Sequence, residues 1–316
     1  MRRILFCTMP LLFLWQAADR AWGASGTEAA SFLDIPVGGR PAALGSSYSA
    51  LASDAYAPVW NPAGLGFLNS TQLAGMHLSY LETITDEFVS FVHPLSPGHS
   101  IGVSGQYFSP GNSKGMDISG LPTGDFSGHY SAYSLAYGQT LTEAMTLGVT
   151  GKIIDARISD VSAQAYAFDV GSMFQATHQL RLAAVVANVG TQLKFLDEGD
   201  SLPSEFRAGA LYSPLEYLNL TAEGVYRFTG LTSAHMGVEV MPSSLVSIRA
   251  GFRTDTLRNL PGFSGFTTGL GLHLWGQEFD YAWVPLGDLG DTQYFSLVLR
   301  FGPSAEASKN LHAVNP

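Results

Sequence analysis

From Gln72 to Phe301 apolar and polar residues alternate in segments of roughly eight to twelve, the length a tilted β-strand needs to cross a bilayer. About fourteen segments stand out, near 72–80, 87–95, 99–108, 128–140, 144–156, 163–175, 179–189, 204–213, 216–228, 233–241, 246–253, 264–275, 277–284 and 292–301. An even number brings both ends of a barrel to one side, as single-chain bacterial barrels require. A soluble sandwich or propeller alternates too, so the connections decide. Those after even-numbered segments are short, as in Ser96-Pro97-Gly98 and Ser213-Pro214-Leu215, whereas those after the third, seventh and eleventh are longer, at 109–127, 190–203 and 254–263. Short turns at one end and longer loops at the other are the pattern of a transmembrane antiparallel β-barrel.

The two faces of these segments differ in charge. In 216–228, Leu218, Leu220, Ala222, Gly224, Tyr226 and Phe228 share one face while Asn219, Thr221, Glu223 and Arg227 share the other. In 277–284, Phe279, Tyr281 and Trp283 oppose Asp280. Lys152, Asp169, Arg181, Glu205, Arg207, Glu223, Arg227, Glu239, Arg249, Asp280 and Arg300 all take the second parity. That face is expected to line the lumen, because a charge facing lipid costs about 2 to 4 kcal/mol at the midplane. The first face reads as uncharged, and its aromatic residues near segment ends (Tyr107, Tyr133, Tyr137, Tyr226, Phe228, Phe252, Tyr281 and Trp283) suit interface girdles. The inward charges read either as a neutralising ladder that receives the N-terminal segment, with Arg207 or Arg249 meeting Asp54 or Asp34, or as a solute pathway.

Residues 1–23 read as a secretory signal, with Arg2 and Arg3 ahead of an apolar core and Ala21-Trp22-Gly23 at the cleavage site. Cys7, the single cysteine, departs with that leader, leaving no thiol for disulfides, zinc or catalysis. No later apolar run approaches the ~18 residues of a spanning helix. The net charge of −10 argues against nucleic acid, which calls for a basic stripe. The eight histidines are scattered, and no HExxH, GxSxG or phosphate loop occurs, so the chain reads as a non-enzyme without metal or cofactor.

Between leader and barrel, residues 24–71 read as a small helical or irregular plug. Pro36, Gly38, Gly39 and Pro41 break regular structure, the small-residue run from Ala42 to Ala57 can form one or two short helices, and Asn61-Pro62-Ala63-Gly64 closes them in a turn. FLDIPVGGRPAALG followed by ALASDAYAPVWNPAGL resembles the N-terminal signature of the PorV/PorQ family of outer-membrane proteins, which is similar in architecture to FadL-type channels. The matching positions are Phe32, Leu33, Gly38, Arg40, Leu44, Gly45, Ala50, Leu51, Asp54, Trp60, Asn61, Pro62, Ala63, Gly64 and Leu65, with Leu44 standing where Met is frequent. The resemblance implies a plug in the periplasmic mouth of a barrel spanning 72–301, set in the lipid of a Gram-negative type outer membrane. On this reading Asn61, Pro62, Ala63 and Gly64 hold the plug against the wall, and Arg40 and Asp54 are its charged contacts.

The same resemblance implies help with protein export or surface attachment, with exported proteins or the type IX secretion machinery as partners. FadL-like passage of fatty acids or other hydrophobic small molecules is the alternative, and a structural barrel without transport a third. An inward face rich in Thr, Ser, Gly and charge weighs against lipid passage, and medium-sized loops weigh against bulky cargo. Residues 302–316 lack apolar periodicity and read as a flexible polar tail.

Overall fold

The computed structural model describes residues 28–80, 83–255, 264–287 and 290–302. The leader, most of the loop 254–263 and nearly all of the tail lie outside the described residues. Among these residues seventeen strands follow in order: β1 (Thr71–Tyr80), β2 (Ile84–Ser96), β3 (His99–Ser109), β4 (Asn112–Met116), β5 (Pro122–Thr142), β6 (Met145–Ile158), β7 (Val161–Gln175), β8 (Leu180–Gly190), β9 (Leu193–Phe195), β10 (Glu198–Asp200), β11 (Glu205–Leu215), β12 (Leu218–Arg227), β13 (Thr232–Ser243), β14 (Val246–Arg253), β15 (Phe266–Leu274), β16 (Gln277–Pro285) and β17 (Asp291–Phe301).

All but β4, β9 and β10 form one closed antiparallel barrel of fourteen strands. The first and last strands pair from Thr71↔Phe301 to Tyr80↔Thr292, and β3 pairs with β5 to complete the ring. Alternation builds this wall directly, since successive side chains of a strand point to opposite faces. In β12, Thr221, Glu223 and Val225 are buried while Ala222, Gly224 and Tyr226 face outward. One end of the barrel carries only tight turns such as 97–98 and 244–245, and the other carries the longer connections.

Residues 28–70 lie inside this barrel and supply much of its core. Leu44, Tyr48, Tyr56, Trp60 and Leu65 are buried against wall residues such as Met76, Phe88, Val92 and Met173. The segment carries two short α-helices, α1 (Gly39–Ala43) and α2 (Ala57–Trp60), and two 3-10 turns, Ser31–Asp34 and Pro62–Phe67.

Three expectations are corrected here. Pro41 does not break structure but sits in the first turn of α1, where a missing N–H leaves no hydrogen bond unmade. The stretch 109–127 is not an open loop, because β5 begins at Pro122 and folds back on β4 as a hairpin beyond the wall. Nor is the outward face uniformly uncharged: His77 and Glu87 pair on it across β1 and β2, with Asp155 and Arg157 farther along.

Candidate functional site

The interior segment runs from the long-loop end of the barrel toward the turn end. At the long-loop end Ala29 N–H donates to the Ser201 carbonyl, Phe32 packs on Phe108 and Tyr130, and Asp34 accepts from Arg227 at 2.6 Å. Near the other end, Thr140 Oγ1 donates to the Gly66 carbonyl at 2.9 Å and Arg181 stacks over Phe67. The chain then turns into β1.

Two seats of wall glycines receive the segment. Gly138, Gly148 and Gly171 are direct cross-strand neighbours on β5, β6 and β7. A methyl group at Gly148 would lie 2.2 Å from the Pro62 carbonyl carbon, one at Gly138 2.4 Å from the Pro62 oxygen, and one at Gly171 2.0 Å from Asn61 Oδ1. Backbone therefore meets backbone across this seat, which only glycine permits. Asn61 locks it: Oδ1 accepts from Ala63 N–H at 3.0 Å, capping the 3-10 turn, while Nδ2 donates to the Ser49 and Ser172 carbonyls at 3.0 and 3.2 Å. Gly64 is needed for the same reason, since a methyl there would overlap the Ala52 carbonyl oxygen. The second seat is the pair Gly237 and Gly251 on β13 and β14, filled by Leu44 and Gly45. Thr267 Oγ1 accepts from Gly45 N–H at 3.0 Å and donates to the Ala43 carbonyl at 2.8 Å.

The eleven wall charges expected inside do face inward, and they settle into local sets. Arg40 of α1 donates through Nε and Nη2 to the two oxygens of Glu239, at 2.8 and 2.7 Å. Glu239 also accepts from Arg249 Nε at 2.7 Å and Asn219 Nδ2 at 2.8 Å. Arg249, whose side chain is wholly buried, continues to Asp280 and to Glu278 at 3.0 Å, and Glu278 reaches Arg300 at 2.7 Å. Elsewhere Lys152 pairs with Asp169 at 2.7 Å, and Arg207 pairs with Glu205 while lying over the Trp60 ring. Glu223 accepts from Ser49 N–H and hydroxyl at 2.8 and 2.5 Å. Arg227 bridges Asp34 and Glu28.

Two expected pairings are absent from this pattern. Arg207 and Arg249 meet wall carboxylates, not Asp54 or Asp34, because nearer partners lie on their own strand or within two strands of it. Asp54 does not bridge to the wall. Its carboxylate accepts from Tyr56 N–H two residues on, at 2.9 Å, and from the Tyr48 hydroxyl, so it folds the segment on itself. Burial raises its pKa above the ordinary carboxylate value, with Arg40 and the two hydrogen bonds opposing that rise. Arg40, by contrast, does make an ionic bond from segment to wall, as Asp34 and Glu28 do to Arg227.

Sequence reasoning also missed an apolar sector of the lumen. Toward the long-loop end Ala132, Ile154, Ala156, Ala163, Ala165 and Ala167 all face inward on β5–β7 and form one buried cluster with Phe32, Leu193 and Leu202. The signal was present as small and apolar residues on the charged parity of those strands. Beside it, between segment and wall, lies a cavity of about 60 Å3, lined by polar groups such as Lys152, Glu205, Arg207 and Glu223 and large enough for only a few waters.

Residues 20–194 match an uncharacterised protein family, UPF0164. No curated protein matches the chain significantly in sequence. In fold it is similar to the Ralstonia pickettii toluene transporter TbuX, with a TM-score of 0.63 and 12% identity over 84% of this chain and 98% of that one. A Pseudomonas aeruginosa FadL homologue gives a TM-score of 0.56 and 12% identity over 82% and 97%. The Pseudomonas putida toluene transporter TodX gives 0.56 and 12% over 82% and 95%. At such identity the likeness is one of fold.

Proposed function

The chain belongs to the uncharacterised family UPF0164, and on that footing we propose that it is a plugged outer-membrane channel of FadL type that passes a small hydrophobic solute. The leader directs export, the turn end of the barrel faces the periplasm and the long-loop end the exterior. Residues 28–70 are the plug, with Asn61, Pro62, Ala63 and Gly64 its packed anchor and Arg40, Asp34 and Glu28 its ionic ones.

The observation that carries this reading is the apolar sector on β5–β7. Ala132, Ile154 and Ala165 lie on the exterior side of the charged belt around α1, beneath Phe32, Leu193 and Leu202, so a solute that displaces this cover reaches the apolar surface before the belt. Burial against such a wall stabilises a hydrophobic solute by about 25 cal/mol per Å2 of surface removed from water. The fold neighbours support the same class, since TbuX and TodX are toluene transporters. Protein export in the manner of PorV ranks behind it: the outer connections that would receive cargo close on themselves as the hairpins β4–β5 and β9–β10.

Native mass spectrometry of the protein extracted from its own outer membrane in mild detergent tests this reading. A retained fatty acid or hydrocarbon is the expected result. Retained exported polypeptides with no small molecule would contradict it.

A further inference from the structure

The outward face carries one row that breaks its own rule. His77 on β1 lies opposite Glu87 on β2, Glu87 opposite Tyr107 on β3, and the register continues through Ser131 and Asp155 to Gln164. The next row toward the turn end, from Gly75 through Val89 and Tyr133 to Tyr166, is free of charge.

At β1 and β2 this polar row cuts into the membrane belt. β1 has only ten residues, about the number a tilted strand needs to cross. His77 lies three residues from its outer end, roughly 7 Å below that end at ordinary strand rise and tilt. On β1 the outward apolar stretch between Thr71 and His77 shrinks to Leu73 and Gly75, whereas on β6 it runs through Met145, Leu147, Val149, Gly151 and Ile153. His77 Nδ1 and Glu87 Oε1 are 2.6 Å apart, yet each side chain remains half exposed. On β11–β16, in contrast, the outward positions carry no charge. Ionisable groups within a membrane span are costly and normally face protein or a cavity rather than lipid.

We infer that the β1–β2 face is a two-fold contact between two copies of this chain, with His77 of each copy set against Glu87 of the other. Two copies inserted in the same direction can be related only by an axis along the membrane normal. With that axis between β1 and β2, β1 of one copy lies against β2 of the other at matching depth. The histidine and the carboxylate then meet twice, and the surface is complementary to itself as a two-fold interface must be. Gly75 favours it further, because a methyl group there would touch only the Phe88 carbonyl oxygen, at 3.9 Å, and small residues let backbones approach within a membrane. The inference rests on the membrane reading but not on solute passage.

Single cysteines test it in the full chain, whose one native cysteine is Cys7. Gly75→Cys, and three strands round the barrel on β15 Leu272→Cys, are oxidised in intact outer membranes; Ser79→Cys replaces the former should Gly75→Cys not assemble. A disulfide-linked dimer from the β1 site and none from Leu272→Cys is the expected result. Light scattering after mild extraction should give a dimer for the wild type and a monomer for Glu87→Leu, both still migrating as folded barrels. A monomeric wild type, or equal cross-linking at the two positions, overturns the contact. So does a lipid bound to a monomer through Glu87, which would give the patch to a headgroup. Neither readout involves transport, so this contact and the channel can fail separately.

Discussion

Arg40 and Glu239 are joined by two parallel hydrogen bonds of 2.8 and 2.7 Å, and this fork is the one strong ionic bond between α1 and the barrel wall. Glu239 does not depend on it, because Arg249 and Asn219 hold the same carboxylate. The wall network is complete without the plug. The plug is therefore bound at α1 by a bond that can open without stranding a charge in the wall.

Arg40→Ala should leave the barrel assembled and loosen the plug by about 1.5 to 3 kcal/mol, the value of hydrogen bonds to a charged group. Planar-bilayer recordings should show a higher open probability. Arg249→Ala should do worse, on the order of 3 to 5 kcal/mol, because it leaves Asp280 buried without its cation. Thermal unfolding followed by gel migration would rank the two, and the reverse order would contradict the network.

Gly148→Ala should expel Asn61–Ala63 from the first seat, overpacking that costs about 1 to 3 kcal/mol. Gly224→Ala, outward and with open space above it, should be neutral. Equal stability of the two variants would show that the seat is not tight.

Asn61→Ala removes a turn cap and two hydrogen bonds, one of them to the wall carbonyl of Ser172, for a loss of about 1 to 2 kcal/mol. Conductance should rise. Asp54→Ala should also loosen the plug, but from within, by freeing Tyr48 and the Tyr56 amide. Hydrogen exchange would then increase over residues 46–57 with the second seat still protected. Protection unchanged in both variants would remove these residues from the plug's support.

Burial raises the pKa of Asp34 from 3.8 to about 6, against the opposing pull of Arg227. The folded state thus holds the proton more tightly than the unfolded one. Its stabilising share is complete below the unfolded value and is lost as pH rises through about 6. Asp34→Asn should flatten the stability profile between these two values. A wild-type profile rising with pH across the same window would reverse the sign and reject the assignment.

The wall was legible in the sequence because each strand reports its own parity. Glu223 beside Tyr226, or Asp280 beside Phe279, needs no knowledge of the partner strand to be placed inside or out. What depends on register was not legible. Gly148 and Gly171 look like any strand glycines until β6 and β7 pair and bring them side by side beneath Asn61. Asp54 was set against a distant arginine because the local alternative, an amide two residues on, is equally well written in sequence and won on proximity. His77 and Glu87 escaped notice because each is alone in its own segment, and only the pairing of β1 with β2 makes them a patch.

The central claim, passage of a hydrophobic solute past the apolar sector, is tested most directly by uptake of a labelled long-chain fatty acid or alkylbenzene. The measurement uses cells whose outer membrane lacks other channels of this type. Wild-type protein should support uptake, and Ile154→Asn should reduce it with an unchanged amount of folded barrel in the membrane. Uptake that is the same with and without the protein, or the same for the wild type and Ile154→Asn, would contradict the account.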